Sequence, residues 1–157
     1  MRLPNASAAG NLLLVEDNAL DVELTLYAFR EARLRAEVHV SRTGDDAIRY
    51  LLGQGPYGDR GAFPLPDLVL LDLKLPGIDG HEVLRRIKTA PNLKRLPVII
   101  LTSSQEESDL VKSYDSGANS YLVKPSSATG FLEVVHRIGQ YWLDLNIGPP
   151  LFATADR

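Results

Sequence analysis

Short apolar runs recur along this chain, and four of them stop on a polar or charged side chain. Leu12-Leu13-Leu14-Val15 ends on Glu16 and Asp17. Leu68-Val69-Leu70-Leu71 ends on Asp72, Pro97-Val98-Ile99-Ile100-Leu101 on Thr102, and Ser120-Tyr121-Leu122-Val123 on Lys124. Runs this short, bounded by turn residues, predict strands buried on both faces rather than helices. Glu37-Val38-His39-Val40 alternates and predicts a further strand, which ends on nothing comparable. Between the strands the apolar positions take a helical period. Val22, Leu26 and Phe29 follow Asn18, a good cap. Thr43-Gly44-Asp45-Asp46 resembles a capping box ahead of Ile48, Leu51 and Leu52. Val83, Leu84 and Ile87 mark a helix that ends before Pro91. Ser103 or Ser104, three residues before Glu106 or Glu107, predicts the next cap; Leu110, Val111 and Tyr114 line that helix and Gly117 stops it. Phe131, Val135, Ile138, Trp142 and Leu145 form the stripe of a long final helix, broken by Gly148-Pro149-Pro150.

Five strands alternating with five helices predict an α/β fold, a doubly wound parallel sheet covered on both faces. One domain over 11–147 is expected, with a flexible segment 1–10 before it and a tail 148–157 after it. Open α/β sheets bind ligands at the carboxyl ends of their strands. In the flavodoxin-like (βα)5 strand order 2-1-3-4-5, borrowed from known sheets, the four polar-ended strands are neighbours. The loop 53–66 holds Gly53-Gln54-Gly55-Pro56-Tyr57-Gly58, a formal match to the dinucleotide fingerprint. That motif must follow a strand and open a helix. Here it follows a helix, precedes a strand and contains Pro56, so it is set aside.

Composition narrows the picture modestly. A net charge of -3 with scattered basic residues argues against a dedicated nucleic-acid surface. The absence of cysteine removes disulfides, thiolate zinc sites and a cysteine nucleophile, and fits a reducing, cytoplasmic location. Residues 1–10 lack the features of a signal peptide, and no apolar run has membrane-spanning length. Asn5-Ala6-Ser7 matches a glycosylation sequon and is treated as chance.

The chemistry lies in the four strand ends. Three crowded carboxylates repel, and a hard divalent ion with oxygen ligands, Mg²⁺ above all, relieves this and leaves sites for phosphate oxygens. Lys124 adds a compact positive charge and Thr102 a rotatable hydroxyl. A carboxylate nucleophile, a metal, a cation and a positioned donor are the parts that phosphoryl transfer requires. Each part alone has a plainer explanation: a charge leaving the core, a helix cap, a helix-dipole partner or a turn.

Val15-Glu16-Asp17-Asn18, Leu71-Asp72-Leu73-Lys74-Leu75-Pro76-Gly77-Ile78-Asp79-Gly80, Leu101-Thr102-Ser103 and Val123-Lys124-Pro125 together resemble the receiver domain of two-component response regulators. The resemblance runs from about Asn11 to Leu145. It implies that Asp72 accepts a phosphoryl group from a sensor histidine kinase. It implies a Mg²⁺ site made by Glu16, Asp17, Asp72 and the backbone carbonyl of Lys74. Thr102 would bind the phosphoryl group and Lys124 would pair with it. Tyr121 matches a switch position that turns inward with Thr102, and Pro125 is expected after a cis peptide bond. Such a protein is a phosphoacceptor that assists its own Mg²⁺-dependent phosphorylation and dephosphorylation, not a turnover enzyme. Glu16 stands where the family usually has Asp, and Lys74 faces the metal site, so phosphoryl lifetime does not carry over.

The long loop before Pro66 and Tyr141-Trp142-Leu143 are similar to stand-alone receivers that partner bacterial phytochromes, which tend to be dimers. Tyr141, Trp142, Leu143 and Leu145 are then a candidate dimer surface, because one helix side cannot bury them all in its own domain. The alternative is a tail folded back on its own core. With no DNA-binding or catalytic output, signalling would pass to a downstream protein or a phosphotransfer partner. Three rivals remain. A phosphatase with an Asp nucleophile wants a second Asp where Lys74 stands. A flavin carrier wants a hydroxyl- and Gly-rich loop where Glu16-Asp17-Asn18 stands. A docking module on the same fold would need none of the chemistry.

Overall fold

The parallel sheet has the strand order β2-β1-β3-β4-β5. Its strands are β1 (Gly10–Val15), β2 (Ala36–Ser41), β3 (Leu68–Leu71), β4 (Val98–Thr102) and β5 (Ser120–Val123). Helices α1 (Ala19–Glu31), α2 (Gly44–Leu52), α3 (Gly80–Thr89), α4 (Glu107–Asp115) and α5 (Ala128–Gly139) follow the strands in turn. This is the doubly wound, flavodoxin-like (βα)5 arrangement expected from the sequence. The computed structural model describes residues 10–151. Within the segment expected to be flexible, Gly10 belongs to β1 and its N–H donates to Arg35 O at 2.8 Å. The rest of 1–10, and 152–157 of the expected tail, lie outside the described residues.

The central strands, Leu12 to Val15 of β1 with β3 and β4, are dry on both faces because their runs are continuously buried, whereas the edge strands β2 and β5 are partly exposed. Alternate residues point to opposite sides of a strand. Leu13, Val15, Val69, Leu71, Val98 and Ile100 therefore join the core under α2 and α3. Leu12, Leu14, Leu68, Leu70, Ile99 and Leu101 join the core under α1 and α5. A one-residue slip of β3 would exchange the two sets, so the register is fixed by packing on both sides.

Helix starts follow side-chain caps. Asn18 accepts from Asp21 N, Thr43 from Asp46 N, Asp79 from Glu82 N and Ser127 from Gly130 N, each at 3.0 Å. The loop 53–66 is built rather than loose. A short 3-10 turn (Gly55–Gly58) opens it. Arg60 then donates to the carbonyls of Tyr50 and Leu51 at the end of α2, both at 2.8 Å, and to Phe63 O. Tyr57 and Phe63 pack edge-on to His39, which stacks on Tyr50.

Five expectations need correction, the last of them at Leu52. Leu110, Val111 and Tyr114 are exposed, and α4 buries only Ser113. Helical spacing sets which residues share a face, not whether that face meets the core. The cap of α4 is Glu106 without a side-chain bond; Ser104 instead accepts from Glu106 N in the turn before it. The final helix is α-helical only to Gly139 and continues as a π-helical turn (Gln140–Leu145), closed by Asn146 N donating to Tyr141 O. The peptide before Pro125 is trans, since no cis bond occurs among the described residues. Trans is the intrinsically favoured isomer, and Lys124 reaches its acidic partners without leaving it.

The π-helical turn divides the candidate dimer residues. Trp142 and Leu143 pack against the core under α1 and α5, as in the folded-back alternative. Tyr141 and Leu145 face outward, 51% and 71% exposed. Leu52 also departs from its expected face, pointing out of α2 at half exposure while Ile48 and Leu51 are buried.

Candidate functional site

Sheet register brings the polar strand ends to one edge. Val15 pairs with Leu71, Leu71 with Ile100, and Thr102 with Val123. The residues immediately beyond those strands, Glu16, Asp72 and Lys124, therefore emerge side by side although far apart in sequence. Gly80 makes room for the loop that follows β3. A Cβ there would collide with Asp72 O and Leu73 Cα, and Gly80 N donates to Leu73 O at 2.8 Å. The first turn of α3 can thus lie directly against the Asp72 backbone.

Lys124 is the hub. Its Nζ donates to Glu16 Oε2 at 2.8 Å, Asp21 Oδ2 at 2.7 Å and Asp72 Oδ2 at 2.9 Å. The other oxygens of the two buried acids are held by backbone. Glu16 Oε1 accepts from Asn18 N at 3.1 Å, and Asp72 Oδ1 from Lys74 N at 3.3 Å. Asp17 is exposed at the rim of the cup.

Burial pushes the Glu16 carboxyl up to about 7, with Asp72 repelling it and the Lys124 bond pulling the other way. Burial alone disfavours the Lys124 ammonium as well. Its bonds to Asp21, Glu16 and Asp72 outweigh that and hold its pKa above the ordinary lysine value. The cup is therefore short of positive charge: four carboxylates face one ammonium.

Glu16, Asp17 and Asp72 each offer an oxygen, and these oxygens lie within 4.8 Å of one another. Glu16, Asp17 and Asp72 are thus close enough to converge on a single small cation. An all-oxygen donor set with surplus negative charge fits a hard divalent cation of the Mg²⁺ type and disfavours softer metals. Lys74, two residues beyond Asp72, is exposed.

Thr102 is fully buried at the end of β4, and its Oγ1 accepts from Ser104 N at 3.4 Å. Lys124 N donates to Thr102 O at 2.7 Å, tying the two strand ends together. Tyr121, half-buried on β5, donates its hydroxyl to Ser104 O at 3.1 Å. Ser104 Oγ donates to Asp109 Oδ2 at 2.5 Å, and Asp109 Oδ1 meets His81 Nε2 at 2.9 Å. The bonds from Ser104 and His81 hold the Asp109 carboxyl below the usual range. A polar chain thus runs from Thr102 through Ser104 to α4 and α3.

The sequence-predicted residues Glu16, Asp17, Asp72 and Lys124 meet in the cup, with Thr102 tied to Lys124 through the backbone. Asp21 and the Ser104–Asp109–His81 chain were not foreseen. An Asp in the first turn of a helix reads as a dipole partner. Its place three residues after the cap, facing the strand ends, was the available signal. An apolar groove between α2 and α3, lined by Ile48, Leu51, Leu52, Arg86 and Leu93 among others, shares no lining residue with the cup.

Among the described residues no helix is long and apolar enough to cross a membrane. The model of the response regulator receiver domain matches residues 12–136. The chain is 41% identical over 139 residues to the probable methanogenesis regulatory protein FilR2 of Methanothrix harundinacea, covering 88% of this chain and 86% of that one. It is 39% identical over 133 residues to response regulator Rcp1 of Synechocystis sp., covering 85% and 88%. A Mn²⁺-bound crystal structure of response regulator Rcp1 matches with a TM-score of 0.83 at 38% identity, over 89% of this chain and 99% of that one. The phosphorylated cyanobacterial phytochrome response regulator RcpA matches with a TM-score of 0.86 at 39% identity, over 90% and 99%.

Proposed function

Because this chain belongs to the response regulator receiver family, we propose that Asp72 is its phosphoacceptor and that its output is a change of protein contacts. The observation that carries the reading is Lys124 Nζ held between Glu16 and Asp72 at 2.8 and 2.9 Å, with Asp17 completing an oxygen trio beside it. The donor is the phosphohistidine of a sensor kinase. An Asp72 carboxylate oxygen attacks phosphorus, the N–P bond breaks, and the imidazole leaves with the electron pair and takes a proton. Glu16, Asp17, Asp72 and the Lys74 carbonyl would hold Mg²⁺. When bound, that ion neutralises the developing charge on the transferring group. Lys124 pairs with a phosphoryl oxygen, and the Thr102 hydroxyl turns to donate to another. Hydrolysis later returns the carboxylate and inorganic phosphate, so the chain assists both steps without turning over a separate substrate.

Phosphorylation adds about -1.5 to -2 charge at Asp72. Drawing Thr102 toward it would break the bond from Ser104 N and release the contacts that Ser104 makes with Tyr121 and Asp109. Tyr121 then fills the space left by Thr102, and α4 shifts against α3. The kinase partner we favour is a bacteriophytochrome, on the strength of the likeness to regulators named for phytochromes. A homodimer through the exposed Tyr141 and Leu145, and transfer to a downstream protein rather than to DNA, complete the proposal. The test is incubation with Mg²⁺ and a small acyl phosphate, read by intact mass. Wild type gains one phosphoryl group and Asp72→Asn gains none; equal labelling of both sinks the assignment.

A further inference from the structure

An ammonium has three N–H groups, and in Lys124 all three meet carboxylates. Two of those acids, Glu16 and Asp72, have other work in the proposed reaction as metal ligands and phosphoacceptor. Asp21 has none. It is outside the trio of oxygens that could share a cation, yet it makes the shortest of the three contacts, 2.7 Å. Its backbone is clamped on both sides: Asp21 N donates to the Asn18 cap at 3.0 Å, and Asp21 O accepts from the buried Thr25 hydroxyl at 2.7 Å. A carboxylate in the first turn of α1 is also favoured by the helix dipole. A dipole partner alone could point anywhere around that turn; this one points at Lys124.

We propose that Asp21 is a positioning residue that anchors the Lys124 ammonium in the cup while Glu16 and Asp72 turn to their other partners. The inference rests on the phosphoacceptor reading above. Lysine carries its charge on a flexible four-carbon stem, and a donor held by fewer partners loses the orientation that transfer needs. Asp21 sits on a rigid helix, so the anchor does not move when the strand ends rearrange. Without it, Nζ follows the displaced acids and meets the phosphoryl oxygens less often in line.

The experiment follows Mg²⁺-dependent phosphorylation of the full chain by a small acyl phosphate, by intact mass, in wild type, Asp21→Ala, Asp21→Asn, Asp21→Glu and Asp72→Asn. The expected result is a maximal rate about ten-fold lower for Asp21→Ala, the loss of one charge-assisted bond. The donor concentration for half-maximal rate stays as in wild type. Asp21→Asn falls between the two, and Asp21→Glu recovers part of the rate. A role confined to capping α1 would lower the thermal midpoint without changing the maximal rate. Should Asp21→Ala fail to fold, the shape-preserving Asp21→Asn decides. Wild-type rates in both neutral variants overturn the anchor and leave the phosphoacceptor standing. Absence of label at Asp72 in wild type overturns both.

Discussion

Replacing Lys124 with Met keeps the stem and removes the charge. Lys124 is a sheltered partner, its side chain 10% exposed, with contacts of 2.8, 2.7 and 2.9 Å to Glu16, Asp21 and Asp72. The variant leaves those three acids facing one another with no ammonium between them. Removing one member of a buried ion pair costs about 3–5 kcal/mol, because the remaining charge stays uncompensated. Glu16, already raised to about 7, can take up a proton and relieve part of the strain, so the lower end applies. For a chain of 157 residues, about 3 kcal/mol lowers the melting midpoint by roughly 6–12 °C. Mg²⁺ restores the missing positive charge and should raise the midpoint of Lys124→Met more than that of wild type. Circular dichroism melts in chelator and in saturating Mg²⁺ near pH 7, where Glu16 can still take up its proton, measure both effects. A variant that melts with wild type in chelator, or gains no more from Mg²⁺, would refute the charge balance described for the cup.

Three further outcomes follow from other parts of the fold. Gly80→Ala forces a methyl group against Asp72 O and Leu73 Cα. It should cost about 1–3 kcal/mol in urea unfolding and slow phosphorylation, whereas an unchanged midpoint would mean that α3 does not bear on the Asp72 backbone. Burial lowers the pKa of His39 from its ordinary 6.5, with Asp46 opposing. The unfolded chain then binds a proton first as pH falls, so stability is lost below about pH 6.5 on this account. His39→Phe should flatten that part of the stability–pH curve, and an identical slope in both proteins would count against it. Arg60→Ala removes the donors that tie the loop 53–66 to the end of α2. Amide exchange should quicken across that loop and leave β3 protected, and uniform quickening would show that the loop is not a separate unit.

Strands were the most legible part of the sequence. A run such as Leu68 to Leu71, buried on both faces, has no room for a polar residue until the sheet ends, so Asp72 announced the edge by its position. Asp72 and Lys124 could be named for the same reason. Helix faces were less legible. Leu110, Val111 and Tyr114 keep a helical period, but α4 turns them outward and buries Ser113 instead. The run Tyr141 to Leu145 was ambiguous because it is apolar nearly throughout, and only the course of the π-helical turn decides that Trp142 and Leu143 pack on the core while Tyr141 and Leu145 face outward. Asp21 was hidden because its local explanation, a helix dipole, is sufficient without the long-range contact to Lys124. The Ser104–Asp109–His81 chain depends on how α3 and α4 pack, which no local pattern encodes.

The central claim is that Asp72, held by Lys124 and beside a divalent-cation site, is where the phosphoryl group forms its bond. Borohydride reduction of the labelled protein, followed by peptide mass analysis, reads this directly, since an aspartyl phosphate is reduced to the corresponding alcohol. The account predicts the reduced residue at position 72 only when Mg²⁺ and the phosphodonor are both present. Reduction at another acid of the cup, or at Asp72 equally well in chelator, would contradict it.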